Sequence, residues 1–343
     1  AIELAEWFEK WNRIHEAKEY EMAVTYNLLG RLYCNIKCLE KAERYYKEAL
    51  EIHHSMGGKI DVAAVCNNLA KLYSETQRIE EAEKYYKEAL EIFQSLAEKN
   101  LEVQCGLAIL YGNLANLYSK TQRIEEAEKY YKEALALVEG NSKMQSMMAI
   151  NCGNLANMYS RLQRHREAEE YYKEALDIFY SLAEDNPAAY EGDVAISCNN
   201  LAGLYRKTQC LKEAERYYQE ALEIRRRLAK NNLEAYEEDV ATSCNNLANL
   251  YNDTQRKEEA EKLYHEALEI YRRLAEKNPS AYEGVVVSIT ILLAVLYVNV
   301  NQMEEAMECF KEILEVLPQL SEKNPEQYEE IVLFLRMMRS KII

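Results

Sequence analysis

The sequence predicts an all-α protein, a solenoid of about seven stacked helix–turn–helix units. Three observations carry this. Ala, Leu, Glu, Lys and Tyr dominate the 343 residues, with only ten Gly and four Pro, a balance that favours helix over strand and loop. A Tyr recurs at Tyr33, Tyr73, Tyr118, Tyr159, Tyr205, Tyr251 and Tyr297, in steps of 40, 45, 41, 46, 46 and 46 residues. Around each Tyr, taken as offset 0, residues suited to burial fall at −7, −4 and −3, one stripe of a helix with about 3.6 residues per turn.

The first helix of each unit carries Leu at −4 (Leu29, Leu69, Leu114, Leu155, Leu201, Leu247, Leu293). A small residue follows at −3 (Gly30, Ala70, Ala115, Ala156, Ala202, Ala248, Ala294). Cys66, Cys152, Cys198 and Cys244 share offset −7, a position for a small buried apolar side chain. The second helix carries Ala42, Ala82, Ala127, Ala168, Ala214, Ala260 and Ala306, each followed four residues later by an aromatic: Tyr46, Tyr86, Tyr131, Tyr172, Tyr218, Tyr264 and Phe310. Small residues allow close helix approach, and the ring fills the space between neighbours. One pair cannot bury its apolar faces alone, so the pairs must stack.

Linkers such as "AEDNPAAYEGDVA" (183–195), "AKNNLEAYEEDVA" (229–241) and "AEKNPSAYEGVVV" (275–287) place Asn where one helix ends and the next begins. Residues 1–16 read as a worn second helix, so an array running back before residue 1 is expected, with 1–19 its partial preceding repeat. Residues 318–343 are expected to hold a capping helix, with Ile331, Val332, Phe334, Leu335 and Met338 on its apolar face.

The small residue, the Tyr, the Ala–x3–aromatic and the next Ala closely resemble the tetratricopeptide repeat signature over residues 20–317. Two departures stand out. The usual Trp at −7 is Cys or Tyr in six units and Thr290 in the last, and the usual turn Gly is Gln in the five central units, as in "TQR" at Thr76–Arg78. The period is similar to the extended variant of kinesin light chains and bacterial multidomain arrays. The resemblance implies a right-handed α-solenoid (a superhelix) whose first helices line a concave groove, acting as a non-enzymatic interaction module for a protein or peptide partner.

At about 100° per residue, offsets −2, +2 and −5 point away from the packed stripe. Offset −5 is Asn in the five central units: Asn68, Asn113, Asn154, Asn200 and Asn246. Offset −2 is Asn in three: Asn116, Asn157 and Asn249. A carboxamide both donates and accepts, so this ladder can grip the main chain of an extended peptide of any sequence. The resemblance implies that −2 of one repeat works with −5 of the next, as Asn116 with Asn154 and Asn157 with Asn200. The competing reading is that the amides simply bond one another. Lys120, Arg161 and Lys207 at +2, with Arg206 beside them, form a basic strip that suits an acidic or C-terminal ligand. The seventh unit has Ile291, Leu292 and Val295 on this face, which a cap helix or a partner should cover. The clusters "RRRLA" (225–229) and "YRRLA" (271–275) read as a solvated face.

A net charge of −16 argues against a general nucleic-acid or anionic-membrane binder, and no unbroken run of about 18 apolar residues marks a membrane span. Nine Cys without a disulfide pattern fit the cytoplasm. Cys34, Cys38, His53 and His54 lack zinc-motif spacing, so neither metal nor cofactor is expected. Phosphate loops, nucleophile elbows and paired catalytic carboxylates have no match, so the chain reads as no enzyme. Two functions stay open: a groove for an extended peptide, or the sensor arm of a larger bacterial signalling protein (an ATPase, a caspase-like protease or a peptide receptor) that recognises a folded partner or its own effector domain.

Overall fold

The computed structural model describes residues 19–96, 101–141 and 144–323, with side chains as far as residue 315. The expectations for residues 1–16 and for a cap over 325–343 lie outside the described residues. Among those described, the chain forms fourteen α-helices and no strand. The first helices are α1 (Glu19–Asn35), α3 (Lys59–Glu75), α5 (Leu101–Lys120), α7 (Gln145–Arg161), α9 (Pro187–Lys207), α11 (Leu233–Asp253) and α13 (Pro279–Asn299). The second helices are α2 (Leu39–Met56), α4 (Ile79–Leu96), α6 (Ile124–Val138), α8 (His165–Asp185), α10 (Leu211–Asn231), α12 (Lys257–Lys277) and α14 (Met303–Lys323).

The chain divides into two compact units, Ala1–Ile178 and Phe179–Ile343. Within the first, α1 to α7 each pack on the next in order, and the first helices α1, α3, α5 and α7 also touch in sequence. Within the second, α9 to α14 pack consecutively. The periodic residues are the core of both. The seven anchor Tyr are 2–7% exposed, and the four Cys at offset −7 are 0% exposed. Gly30 replaces Ala at offset −3 because the Tyr46 ring lies 2.5 Å from where a Cβ would stand.

The "TQR" turn has a division of labour. Thr76, Thr121, Thr208 and Thr254 donate their hydroxyls to the last carbonyls of the first helix. The Gln that follows takes the left-handed backbone: Gln77, Gln122, Gln163, Gln209 and Gln255 have φ of 60 to 64°. Gln therefore stands where Gly would be freer, at a modest conformational cost. The Arg then returns its N–H to the anchor Tyr carbonyl, at 2.8 Å for Arg78, Arg123 and Arg256.

The same Arg bolts one repeat to the previous one. Arg78, Arg123 and Arg164 each reach a Glu on the preceding second helix at 2.9 Å (Glu43, Glu83, Glu128), and Arg256 reaches Glu215 at 2.6 Å. Each guanidinium also lies 4.0–4.2 Å over its anchor Tyr ring, and the Tyr73 and Tyr118 hydroxyls donate to the same Glu43 and Glu83. Burial would raise the Glu83 carboxyl, but hydrogen bonds from Lys87 and Arg123 outweigh it and hold the group below its ordinary range.

One sequence expectation needs correction. The Arg clusters are only in part a solvated face: Arg226, Arg227 and Arg272 are exposed, but Arg225 is 6% exposed and donates to Ser243 Oγ at 2.7 Å. Arg226 holds Glu266 through both carboxylate oxygens, and Arg273 reaches Glu237, itself 3% exposed. Both clusters join separate helices, information that a single helix's periodicity does not contain. A separate feature is the apolar character of α13. Its 18-residue window of mean hydropathy 2.1 is long and apolar enough to span a bilayer by length and composition. The helix instead sits against α12 and α14 as the first helix of the seventh repeat.

Because the Glu83 carboxyl is held low, its contribution is full above about pH 4.5, the unfolded value, and fades as pH falls through the folded one. Glu83→Gln is expected to lower stability by about 1 kcal/mol at pH 7. In chemical denaturation at a series of pH values, the gap from wild type should close toward pH 3. A gap that does not depend on pH would show that the charge on Glu83 is irrelevant.

Candidate functional site

The polar face of the first helices is built from what the packed stripe leaves over. Asn68, Asn113 and Asn154 in the first unit and Asn200 and Asn246 in the second are all half-buried at offset −5. Three of them bond to the preceding repeat. Asn68 Nδ2 donates to Asn27 Oδ1 at 2.9 Å, Asn113 to Asn67 at 2.9 Å, and Asn246 to Asn199 at 2.8 Å. The acceptor is always offset −6, immediately before the −5 position. The carboxamides thus run from −5 back to −6, and no bond joins Asn116 to Asn154 among the described residues.

Asn154 and Asn200 have no hydrogen-bond partner among the described residues. For Asn154 the reason lies in the sequence, since the −6 position of the preceding repeat is Gly112. The mirror case occurs at Asn245. Its carbonyl oxygen is buried without a partner, because the seventh repeat has Leu292 at −5 where a donating Asn would stand.

Offset −2 serves another need. The Tyr hydroxyls of the second helices are buried and require an acceptor. Tyr131 donates to Asn116 Oδ1 at 2.6 Å, Tyr172 to Asn157 at 2.6 Å and Tyr264 to Asn249 at 2.7 Å. Burial pushes the Tyr172 phenol up to about 12, so it stays protonated and donating. The seventh repeat loses both partners together, with Val295 at −2 and Phe310 opposite. In each of the three Asn the carbonyl is committed, while no intramolecular partner engages Nδ2 among the described residues.

The basic strip is uneven. Arg161 is exposed and touches Ser119 Oγ at 2.5 Å, and Lys120 and Lys207 are exposed at the same offset. Arg206 is committed to Asp253 at 2.5 Å. Two sets of residues escape the sequence reading. Offset −9 falls at about 180°, the middle of this face, and carries Ile109, Ile150 and Ile196, exposed at 46, 51 and 48%. Arg31 and Lys71 occupy offset −2 in the first two repeats. The same angular arithmetic, extended one turn back and to every unit, finds all five.

Among the described residues, no three His, Cys, Asp or Glu side chains gather as a metal site. Family models for the tetratricopeptide repeat match residues 21–95, 106–181, 194–232, 240–279 and 289–319. The chain belongs to the tetratricopeptide repeat (TPR) family. That fold is an interaction scaffold, in general non-catalytic, for protein or peptide partners. The solved structure of BtubC (BKLC) from P. vanneervenii is 26% identical, with a TM-score of 0.59 over 70% of this chain and 92% of its own. The apo quorum sensor NprR from B. thuringiensis matches at 16% identity and TM-score 0.66, covering 91% of this chain and 81% of its own. PH0952 from Pyrococcus horikoshii, a signal transduction ATPase with a TPR sensor, matches at 17% identity and TM-score 0.64, covering 90% of this chain and 44% of its own. A search of curated proteins finds no match.

If Asn116 is the acceptor for Tyr131, the two positions must be coupled. Asn116→Ala is expected to cost about 1–2 kcal/mol by orphaning the phenol. In a Tyr131→Phe background the same change should cost roughly 1 kcal/mol less. A double-mutant cycle by urea denaturation measures this, and strictly additive effects would remove the Asn116 bond from the account.

Proposed function

We propose that the polar face of the first helices binds an extended peptide segment of a partner through main-chain hydrogen bonds from its carboxamides. One observation carries this reading: Asn154 and Asn200 accept the helix-propensity cost of Asn and return no internal hydrogen bond for it. The Nδ2 groups of Asn116 and Asn157 add donors in the unit that holds Asn154, and that of Asn249 adds one in the unit that holds Asn200, each with its orientation held by a Tyr bond. Such preorganised donors suit peptide carbonyls.

At roughly 1 kcal/mol per net hydrogen bond, amides alone fall short of the about 8 kcal/mol that micromolar affinity needs. The exposed side chains of Ile109 and Ile150 offer apolar contact for ligand side chains, and Lys120 and Arg161 favour acidic ones. A cytoplasmic setting accords with nine free cysteines, four of them fully buried. The resemblance to sensor proteins rests on identities of 16 and 17%, which speak for the fold alone.

The test is selection from a random dodecapeptide library, followed by binding of the selected peptides to variants. Asn154→Ala and Asn200→Ala, alone and combined, are expected to weaken binding while the melting temperature stays within a few degrees. Asn113→Ala should also lower the melting temperature, because it breaks the bond to Asn67. Undiminished binding by the combined variant would refute the proposal.

A further inference from the structure

The position twenty residues after each anchor Tyr lies on the second helix and belongs to the core. It is Phe93, Val138, Phe179 and Tyr271 in four repeats, all 6% exposed or less. Two repeats place a side chain there that can carry positive charge: His53 and Arg225, at 2% and 6% exposure. A charge at such depth needs dedicated partners.

Arg225 has them. It donates to the Asp239 carbonyl at 3.2 Å and to Ser243 Oγ at 2.7 Å, and its guanidinium stands 3.6 Å from the Asp239 carboxylate. Asp239 and Ser243 are offsets −12 and −8 of the next repeat. The corresponding positions after His53 are Asp61 and Val65. The acid of the cradle is kept, and its hydroxyl has become a fully buried isopropyl group. His53 Nδ1 lies 3.9 Å from Asp61 Oδ2, too far for a hydrogen bond, and is buried without a hydrogen-bond partner among the described residues. α2 packs against α1 and α3, and the titratable groups that face the ring from these helices are Tyr20, edge-on at 5.9 Å, and Asp61. Burial lowers the imidazole's hold on a proton below its ordinary value, and Asp61 offsets this only in part.

The ring sits at a joint. α2 ends in a turn where Gly57 takes φ 73°, and the Gly58 N–H returns to the His53 carbonyl at 3.2 Å. The main chain of His53 thus closes the turn while its side chain fills the contact between repeats one and two. We propose that His53 makes this joint acid-sensitive: a proton on the imidazole is a buried charge without a complete cradle, and the ring leaves the α2–α3 interface to hydrate it. Repeats one and two then loosen, and with them the Asn68–Asn27 bond that ties α3 to α1. His53 takes up its proton more readily when released than when packed. Its contribution to the joint is therefore complete above about pH 6.5 and is lost as pH falls toward the lower, packed value. Arg225 stays charged throughout this range, so the joint of repeats five and six should not respond. The proposal is independent of what the polar face binds.

Hydrogen exchange read by NMR tests it. In wild type, protection of the α2 and α3 amides at the joint is expected to fall by at least about fivefold between about pH 7.5 and about pH 5.5, after correction for intrinsic exchange. Amides of α10 and α11 around Arg225 should change much less. His53→Phe, which installs the residue found at Phe93 and Phe179, should lose most of the fall. So should His53→Arg with Val65→Ser, which completes the cradle. His54→Gln, exposed beside it, should keep the fall. An equal fall in all variants would assign it to other groups and overturn the proposal. Should a variant fail to fold, titration of the His53 ring in wild type still decides. A midpoint well below about 6.5 is expected. A midpoint at or above that value would show that Asp61 holds the cation in place and that acid tightens the joint.

Discussion

Leaving a half-buried polar group without a partner is costly, and the first-helix amides and the phenols of this chain that find a side-chain partner find it on a neighbouring helix. That requirement organises everything above the apolar stripe. The stripe decides that helix pairs stack, since Leu, Ala, Cys and Tyr at fixed offsets must leave water. Apolar contact is not directional, and it sets register only loosely. Register comes from the polar groups: a phenol on Asn116, an amide on Asn67, an Arg between a Tyr ring and a Glu. Each such bond is worth little alone, but leaving its partner orphaned costs more, so the set penalises any slipped arrangement.

In the proposed reading, function draws on the capacity that these bonds leave unused. A carboxamide has two acceptor lone pairs and two donor protons, and the internal bonds take one of them. At offset −5 a donor proton is taken, at offset −2 an acceptor. Where a repeat changes the neighbour to Gly, as at Gly112, the following Asn keeps its full capacity. The seventh repeat shows the reverse. Leu292, Val295 and Phe310 replace the amide and phenol chemistry with apolar surface, and the Asn245 carbonyl is stranded as a result. The polar face is thus graded along the chain: cationic at repeats one and two, amide-rich and Ile-lined in the middle, apolar at the seventh.

The repeat, the helices and the core were legible because they depend on spacing along one helix. Offset arithmetic finds the Leu, Ala and Tyr positions without knowing what they touch. The identity of the polar partners was not legible. Asn113 bonds Asn67 at offset −6 of the preceding repeat, and that choice depends on how two helices cross. Arg225 looked solvated because its run of three cations says nothing of the Ser243 hydroxyl on the next helix. Arg31 and Lys71 are hidden for a different reason: they stand at offset −2 in units that break the Asn pattern, so the recurrence of Asn does not contain them. A substitution at an otherwise repeated groove position is itself a signal, since each break changes what the face can bind.

The most direct test is the crystal structure of the protein with a library-selected peptide bound. The account predicts peptide carbonyls within hydrogen-bond distance of the Asn116 and Asn154 Nδ2 atoms, with the Asn113–Asn67 and Tyr131–Asn116 bonds intact. A peptide seated on the second helices, or one whose main chain ignores these amides, would contradict it.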